Sequence, residues 1–300
     1  MFPVAIFIGG PTASYKTELA FELQSYFPSF IINSDSMQVY DQLEILTNRP
    51  VKQLRKRYDC DLFSYVKYPN KCSVGSWQKK ALSVIKNKKS KIPIFVGGTG
   101  LYMDSIVNNI SEIPKISEKV KKSIQNELKN FGINYLYKKL KKCDEEYSKK
   151  LSPNDSQRIV RALEVNLSTQ INLSKWHKME KKKIFKKIIY VVVKTEREKI
   201  YSRINSRCEE MINLGVLEEV KSFLEIKQKL DHPIHKSIGL RQITRYLDGL
   251  YSLEETMKDF TLQTRRYTKR QLTWFNNKAK EAIHLEGPKI KEYILRELKL

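Results

Sequence analysis

The run Gly10-Pro11-Thr12-Ala13-Ser14-Tyr15-Lys16-Thr17 sets a glycine turn, a lysine and a threonine at a spacing that can hold phosphate. At a helix N-terminus, successive backbone N–H groups cradle phosphate oxygens, a lysine neutralises them and a threonine hydroxyl can ligate Mg²⁺. Tyr15 breaks the pattern, because such loops carry glycine before the lysine. A Cβ there costs about 1 to 2 kcal/mol if the backbone must turn left-handed, and little if it stays right-handed with the ring pointing away. The expectation is a working loop with weakened phosphate binding. Asp35 offers a carboxylate that acts as a general base, holds Mg²⁺ through water or merely caps a turn. In Gly97-Gly98-Thr99-Gly100 the glycines permit close approach of backbone to ligand. Arg158 with Arg161, and Arg203 with Arg207, share helix faces at spacings of three and four. Their guanidinium forks suit phosphate, or they line ordinary solvated faces. Arg265, Arg266, Lys269 and Arg270 precede Trp274-Phe275, which fits either an RNA-backbone contact or an amphipathic helix.

Short strands and helices must position these groups. Val4 to Ile8 is a buried-strand run ended by Gly9-Gly10-Pro11, and Leu19, Ala20, Leu23 and Phe27 then recur at helical spacing. Ile31-Ile32 reads as a second strand and Ile92 to Val96 as a third, followed by a helix from Leu101. Buried strands joined through helices predict an α/β fold with a parallel sheet and ligands outside the strands' carboxyl ends. The phosphate-type loop, Asp35 and the Gly97–Gly100 run then share one sheet edge. From Pro114 to Lys187 the pattern becomes lysine-dense helices, an inserted domain of residues 114–187 within a core of 1–113 and 188–300. There an Asn154 or Asp155 cap opens a helix whose Ile159 and Leu163 face the core. Ile188 to Val193 returns as a strand, and long helices run to about Phe275. One opens on the capping box Ser252-Leu253-Glu254-Glu255, and the helix before it stops at Gly249.

With 300 residues, 41% of them hydrophobic, the chain can bury a core of two domains' size. Its net charge of +23 attracts polyanions, and most of the excess follows residue 110, where 42 basic residues face 25 acidic ones. No apolar run approaches the roughly 18 to 20 residues of a membrane span, and the N-terminus lacks the charged region of a signal peptide. Cys60, Cys72, Cys143 and Cys208 form no C-x-x-C pair, which argues against a zinc ribbon or disulfide framework and for a reduced, cytoplasmic setting.

Six blocks in order, GPTASYKT, NSDSMQVYD, VGGTGLY, PNDSQRIVRALEV, SIGLRQ and TRRYTKRQLTWF, resemble the tRNA dimethylallyltransferases, also called tRNA isopentenyltransferases. Departures are Tyr15 for glycine, Ser156 for proline and Leu240 for an aromatic residue; without a C-terminal zinc finger the resemblance is to the bacterial type. It implies a P-loop NTPase-like parallel sheet core flanked by helices, with a mainly helical inserted domain. It also implies transfer of a dimethylallyl group from dimethylallyl diphosphate to N6 of the adenosine beside the anticodon of tRNA. The nucleotide-binding, ATP-type loop from Gly10 to Thr17 would hold that diphosphate, with Mg²⁺ on Thr17, and Lys16 and Arg207 would take up leaving charge. Asp35 would accept the N6 proton, and Thr99 would sit beside the leaving oxygen. Asp35, Ser36, Met37 and Gln38 would contact tRNA, as would Gln157, Arg158, Ile159, Val160 and Arg161, and Lys236, Ser237, Ile238, Gly239, Leu240 and Arg241. The enzyme would be a cytoplasmic monomer without an obligate protein partner or a membrane. A nucleoside or nucleotide kinase shares the loop and sheet but has no need of the late positive charge. A non-catalytic RNA-binding protein leaves Asp35 and Thr99 idle.

Overall fold

A computed structural model describes residues 1–111, 113–226 and 231–300. They form two compact units, one from residues 1–107 and 183–300, the other from 108–182. The sequence reading draws the insertion at 114–187; the second unit spans 108–182 instead, and it ends earlier because the returning strand begins at Phe185, ahead of the apolar run from Ile188.

The first unit opens with β1 (Phe2–Gly9), α1 (Lys16–Leu23), β2 (Ser29–Asn33), α2 (Lys52–Arg57), β3 (Cys60–Asp61), α3 (Val74–Asn87), β4 (Ile92–Gly97) and α4 (Gly100–Val107). The second unit holds α5 (Glu118–Cys143), α6 (Glu145–Ser148), α7 (Ser156–Thr169) and α8 (Leu173–Lys178). The first unit then resumes with β5 (Phe185–Lys194), α9 (Arg197–Asn213), α10 (Val216–Glu225), a 3₁₀ turn (Pro233–Lys236), α11 (Leu240–Leu247), α12 (Leu253–Lys278), β6 (Ile283–Glu286) and α13 (Gly287–Leu298).

Six strands form one parallel sheet in the order β3-β2-β4-β1-β5-β6. Side chains alternate across it, as strand geometry requires. Ala5, Phe7, Phe30, Phe95 and Val192 enter one core with Trp77, Met103, Ile204 and Phe275 of the helices. Ile6, Ile8, Ile31, Ile94 and Val191 enter the other, under Ala20 and Leu23 of α1 and Ile290 and Ile294 of α13. Burial on both faces explains the continuous apolar strands. The last strand and helix escaped the sequence reading because Ile283-His284-Leu285-Glu286 is a short, partly exposed edge without that signature.

The second unit has its own core, in which Ile124, Leu136 and Leu140 of α5 meet Ile159 and Leu163 of α7. Helix α5 is kinked at Gly132, whose φ is 75°. Asp155 caps α7 by accepting from the Arg158 N–H at 3.2 Å. In the first unit the Ser252 and Glu255 capping box opens α12 as expected.

Candidate active site

Gly9, Asn33 and Gly97 end neighbouring strands, so the three following loops meet at one edge. In the first loop the Pro11 carbonyl accepts from Ser14 Oγ at 2.8 Å and from Lys16 Nζ at 2.7 Å. Tyr15 is the N-cap of α1 and offers no side-chain cap, which leaves the first helical N–H groups for a ligand. Its φ of 57° is left-handed, the conformation in which a Cβ is costly. Tyr15 is 51% exposed and its ring lies under the Arg203 guanidinium at 4.3 Å, while Arg203 Nη1 donates to the Ala13 carbonyl at 3.4 Å. One turn on, Arg207 Nη1 donates to Thr12 Oγ1 at 3.1 Å. Burial, then the Arg207 charge, pulls the Lys16 ammonium down to about 8.

Asn33 shapes the second loop. Its Oδ1 accepts from the Asp35 N–H at 2.9 Å, and its Nδ2 donates to the carbonyls of Asp35 (3.1 Å) and Leu62 (3.0 Å). Asp35 Oδ1 accepts from the Met37 N–H at 2.9 Å, so the turn role is present alongside any chemical one. Burial pushes the Asp35 carboxyl above the ordinary aspartate range, against the Met37 hydrogen bond and the Lys16 charge. Thr99 Oγ1 accepts from the Ser36 N–H at 2.9 Å, and the Thr99 N–H donates to the Ser34 carbonyl at 3.1 Å.

A cavity of about 700 Å³ joins these groups. Thr12 to Thr17, Asp35 to Gln38, Arg207 and Lys236 to Ile238 line it. Its apolar wall includes Leu46, Ile204, Met211 and Phe260. Thr99 is not among the lining residues; it ties the β4 end to the Asp35 turn instead. Gly239 and Leu240 lie off the cavity too, with Leu240 buried, and Arg241 borders a second depression with Lys236, Arg245 and Arg270. In the second unit Ile159 and Val160 are buried, so their side chains are not presented to RNA. Gln157, Arg158 and Arg161 are exposed, with Arg158 paired to Asp155 at 2.7 Å and Arg161 to Glu164 at 3.8 Å.

One expectation is corrected in part, and one open alternative is narrowed. The glycines at and after the end of β4 make room for protein, and of Gly97, Gly98 and Gly100 only Gly97 also lines the cavity. A Cβ on Gly97 would lie 2.3 Å from the Ser34 carbonyl, on Gly98 2.0 Å from the Gln271 amide, and on Gly100 1.9 Å from the Trp274 ring. Of the two readings of the basic run before Trp274-Phe275, the amphipathic helix is the one the packing fits, with Phe275 fully buried against Gly9 and the half-buried Trp274 lying on Gly100. Arg265 is held by Asn205 Oδ1 at 2.8 Å and by the Tyr201 ring.

Sequence reasoning missed Gln271, whose Oε1 accepts from the Thr12 N–H at 2.9 Å while its Nε2 donates to the Gly98 carbonyl at 3.1 Å. It was findable: Phe260, Thr268, Gln271 and Phe275 form the buried stripe of α12, and a polar residue on such a stripe needs partners. Glu219 had no such signal; its carboxylate accepts from the N–H groups of Ile45 and Leu46, both at 2.9 Å, and holds the loop that supplies part of the apolar wall.

A lysine and an arginine directed at a bare helix N-terminus suit a ligand with phosphate charge, and the sheet that carries them is that of the P-loop transferases. The family model described as IPP transferase matches residues 38–278. The tRNA dimethylallyltransferase of Pelagibacter ubique (strain HTCC1062) is 39% identical over 292 residues, covering 96% of this chain and 93% of that one. That of Bartonella quintana (strain Toulouse) is 39% identical over 279 residues, covering 91% and 94%. Among solved structures, the full-length tRNA isopentenylpyrophosphate transferase of Bacillus halodurans superposes with a TM-score of 0.71 at 27% identity, over 100% of this chain and 97% of that one. A eukaryotic dimethylallyltransferase, seen in crystallographic snapshots acting on tRNA, gives a TM-score of 0.82 at 25% identity, over 95% and 74%. The chain belongs to the IPP transferase family, that of the tRNA dimethylallyltransferases.

Proposed function

We propose that this protein transfers a dimethylallyl group from dimethylallyl diphosphate to N6 of the adenosine on the 3′ side of the anticodon in tRNA, releasing diphosphate. The observation that carries the reading is a single cavity with a phosphate loop, a recessed carboxylate and an apolar wall. A diphosphate suits Lys16, Arg207 and the first N–H groups of α1, and a five-carbon chain suits Ile204, Met211 and Phe260. A kinase site would instead meet its nucleoside with polar groups that read the base.

In the reaction the N6 lone pair attacks C1 of the allyl group, and the C1–O bond pair departs with diphosphate. Asp35 takes the N6 proton; its raised affinity for a proton brings it nearer the working pH of a general base. Lys16 and Arg207 neutralise the departing charge. Thr17 lines the cavity, and its hydroxyl has no protein partner among the described residues, which fits a Mg²⁺ held by this one side chain, diphosphate oxygens and water. Such an ion supplies further neutralisation of the leaving group. Thr99 and Gln271 act through what they hold, the Asp35 turn and the phosphate loop. The adenosine must leave the anticodon-loop stack to reach N6 chemistry. Ser36, Met37 and Gln38 would receive it, with Lys236 to Ile238 on the same rim and Arg241 taking neighbouring phosphates. Gln38 Nε2 is committed to the carbonyls of Thr47 (2.9 Å) and Asn48 (3.0 Å), which leaves its oxygen for the substrate.

No described helix is long and apolar enough to cross a membrane, and we place the enzyme, as a monomer, with tRNA in the cytoplasm. The deciding experiment offers purified protein labelled dimethylallyl diphosphate with bulk tRNA, and separately labelled ATP with nucleosides. Label entering tRNA is the expected result; phosphorylated nucleoside with unmodified tRNA would overturn the reading.

A further inference from the structure

Helix α5 carries, on the side away from its core, two large aromatic side chains that stay exposed among the described residues. Phe131 is 60% exposed and Tyr135 is 44% exposed, with ring centroids 4.8 Å apart across the Gly132 kink. Beyond the kink, Tyr135, Lys138 and Lys142 follow at spacings of three and four, so they form one stripe about 10 Å long by helical rise. Residues 128–143 contain five lysines and no acidic residue. Of the five, Lys139 is paired with Glu127, whereas Lys138 and Lys142 are exposed and meet no carboxylate among the described residues. The other acidic side chains nearby are spent: Glu145 on Lys149, Glu146 on Lys150 and Lys178, and Asp144 on the N–H groups of Tyr147 and Ser174.

A helix destined only for solvent has no use for a paired Phe and Tyr, and a helix destined for a protein core would not ring them with unpaired lysines. Aromatic faces next to uncompensated cations are the two parts of a single-strand nucleic-acid platform: the rings stack on a base, and the ammonium groups take the flanking phosphates. We propose that the Phe131–Tyr135 pair with Lys138 and Lys142 is an RNA-docking stripe that stacks an unpaired base of the tRNA substrate. The proposal deepens the assignment of tRNA as substrate and rests on it. It concerns side chains outside the cavity, and so affinity for RNA and not the transfer step.

The experiment uses the full chain. F131S/Y135S and K138Q/K142Q are compared with wild type for tRNA affinity across a salt series, with thermal unfolding and dimethylallyl diphosphate affinity measured in parallel. F131S/Y135S is expected to bind tRNA about tenfold or more weakly with an unchanged salt slope, since stacking releases no counterions. K138Q/K142Q is expected to make the slope shallower by roughly 0.7 per lysine. Unfolding and diphosphate affinity should not move, because the replaced side chains are exposed and belong to the other unit. Wild-type tRNA affinity in F131S/Y135S overturns the proposal. So does binding to phosphatidylserine vesicles that this variant loses while keeping its tRNA affinity, which would assign the stripe to lipid. A wild type that binds tRNA without transferring the dimethylallyl group refutes the transferase reading, and the variant's affinity still judges the stripe. A wild type that binds no tRNA overturns both.

Discussion

Asp35 and Lys16 face one cavity with their proton affinities displaced in opposite directions from the ordinary values, and the activity must show both. In its proposed role Asp35 serves as a base only when ionised, so kcat/KM should fall as pH drops through its raised value. In its proposed role Lys16 binds diphosphate only when charged, so the free enzyme should lose affinity as pH rises through about 8. The expected profile is a bell with its alkaline limb near 8, and Lys16→Arg should remove that limb, since a guanidinium stays charged. A wild-type profile flat across that range would contradict the assignment of Lys16. Asp35→Ala should lower kcat by about 10²-fold or more with tRNA affinity little changed; near-normal turnover by the folded variant would return Asp35 to a turn residue. Tyr15 is settled in the left-handed conformation, so its Cβ costs about 1 to 2 kcal/mol. The Arg203 stack offsets part of this, about 0.5 to 1 kcal/mol at an exposed site. In Tyr15→Gly the strain and the stack vanish together while chain entropy rises, so stability should change by less than about 1 kcal/mol. The loop can then close on its ligand, and KM for dimethylallyl diphosphate should drop several-fold with tRNA affinity constant. An unchanged KM would mean that the tyrosine is accommodated without loss.

The elements around the site are joined by contacts that leave no room for a methyl group. At Gly97 a Cβ would meet backbone, the Ser34 carbonyl at 2.3 Å and the Asp35 nitrogen at 2.8 Å, and backbone cannot rotate aside. Gly97→Ala should therefore cost about 1 to 3 kcal/mol, the usual range for overpacking, and lower Tm by several degrees. Because the atoms displaced carry Asp35, kcat should fall with it; a variant with wild-type Tm and kcat would show that the two strand ends can part to admit a methyl group. The central strands and the amphipathic helices were legible, unlike β3 and the edge strand β6: buried strands read as apolar runs, and the α9 stripe of Ile200, Ile204, Cys208 and Met211 is buried as its period requires. So were the loops that bear Lys16 and Asp35. What the sequence does not display is which element fills the space above a glycine. Gln271 reaches Thr12, 259 positions away, and Glu219 reaches Ile45, 174 positions away. The α12 stripe marks Gln271 as buried but not what it meets, and Glu219 leaves no periodic trace at all; this is why the Gly97–Gly100 run reads as a ligand loop until α12 is seen lying on Gly98 and Gly100.

Across the whole molecule, a net charge of +23 makes phosphate attraction the largest sequence-independent contribution to RNA binding. The lysines differ in what they have to give. Residues 108–182 hold 17 basic and 9 acidic side chains, and several of the lysines, such as Lys149 and Lys178, already sit beside carboxylates. Exposed pairs of this kind are worth little and can exchange a carboxylate for a phosphate, but a lysine without a partner has nothing to give up. Lys181, Lys182 and Lys183 are in that position, adjoining one another with no ion pair among the described residues. The backbone of the run is pinned by Asn109 Nδ2, which donates to the Lys182 carbonyl at 3.0 Å. Charge reversal of all three to Glu should thus leave the fold intact and act on RNA alone. For the wild type the logarithm of the tRNA binding constant should fall linearly with the logarithm of salt concentration. In the reversed variant the slope should be shallower by roughly 0.7 to 0.9 for each phosphate no longer neutralised. If these lysines touch the RNA, the weakening is greatest at low salt and shrinks as salt screens it; a variant whose slope matches wild type makes the run a solvated surface and leaves the affinity to the remaining cations.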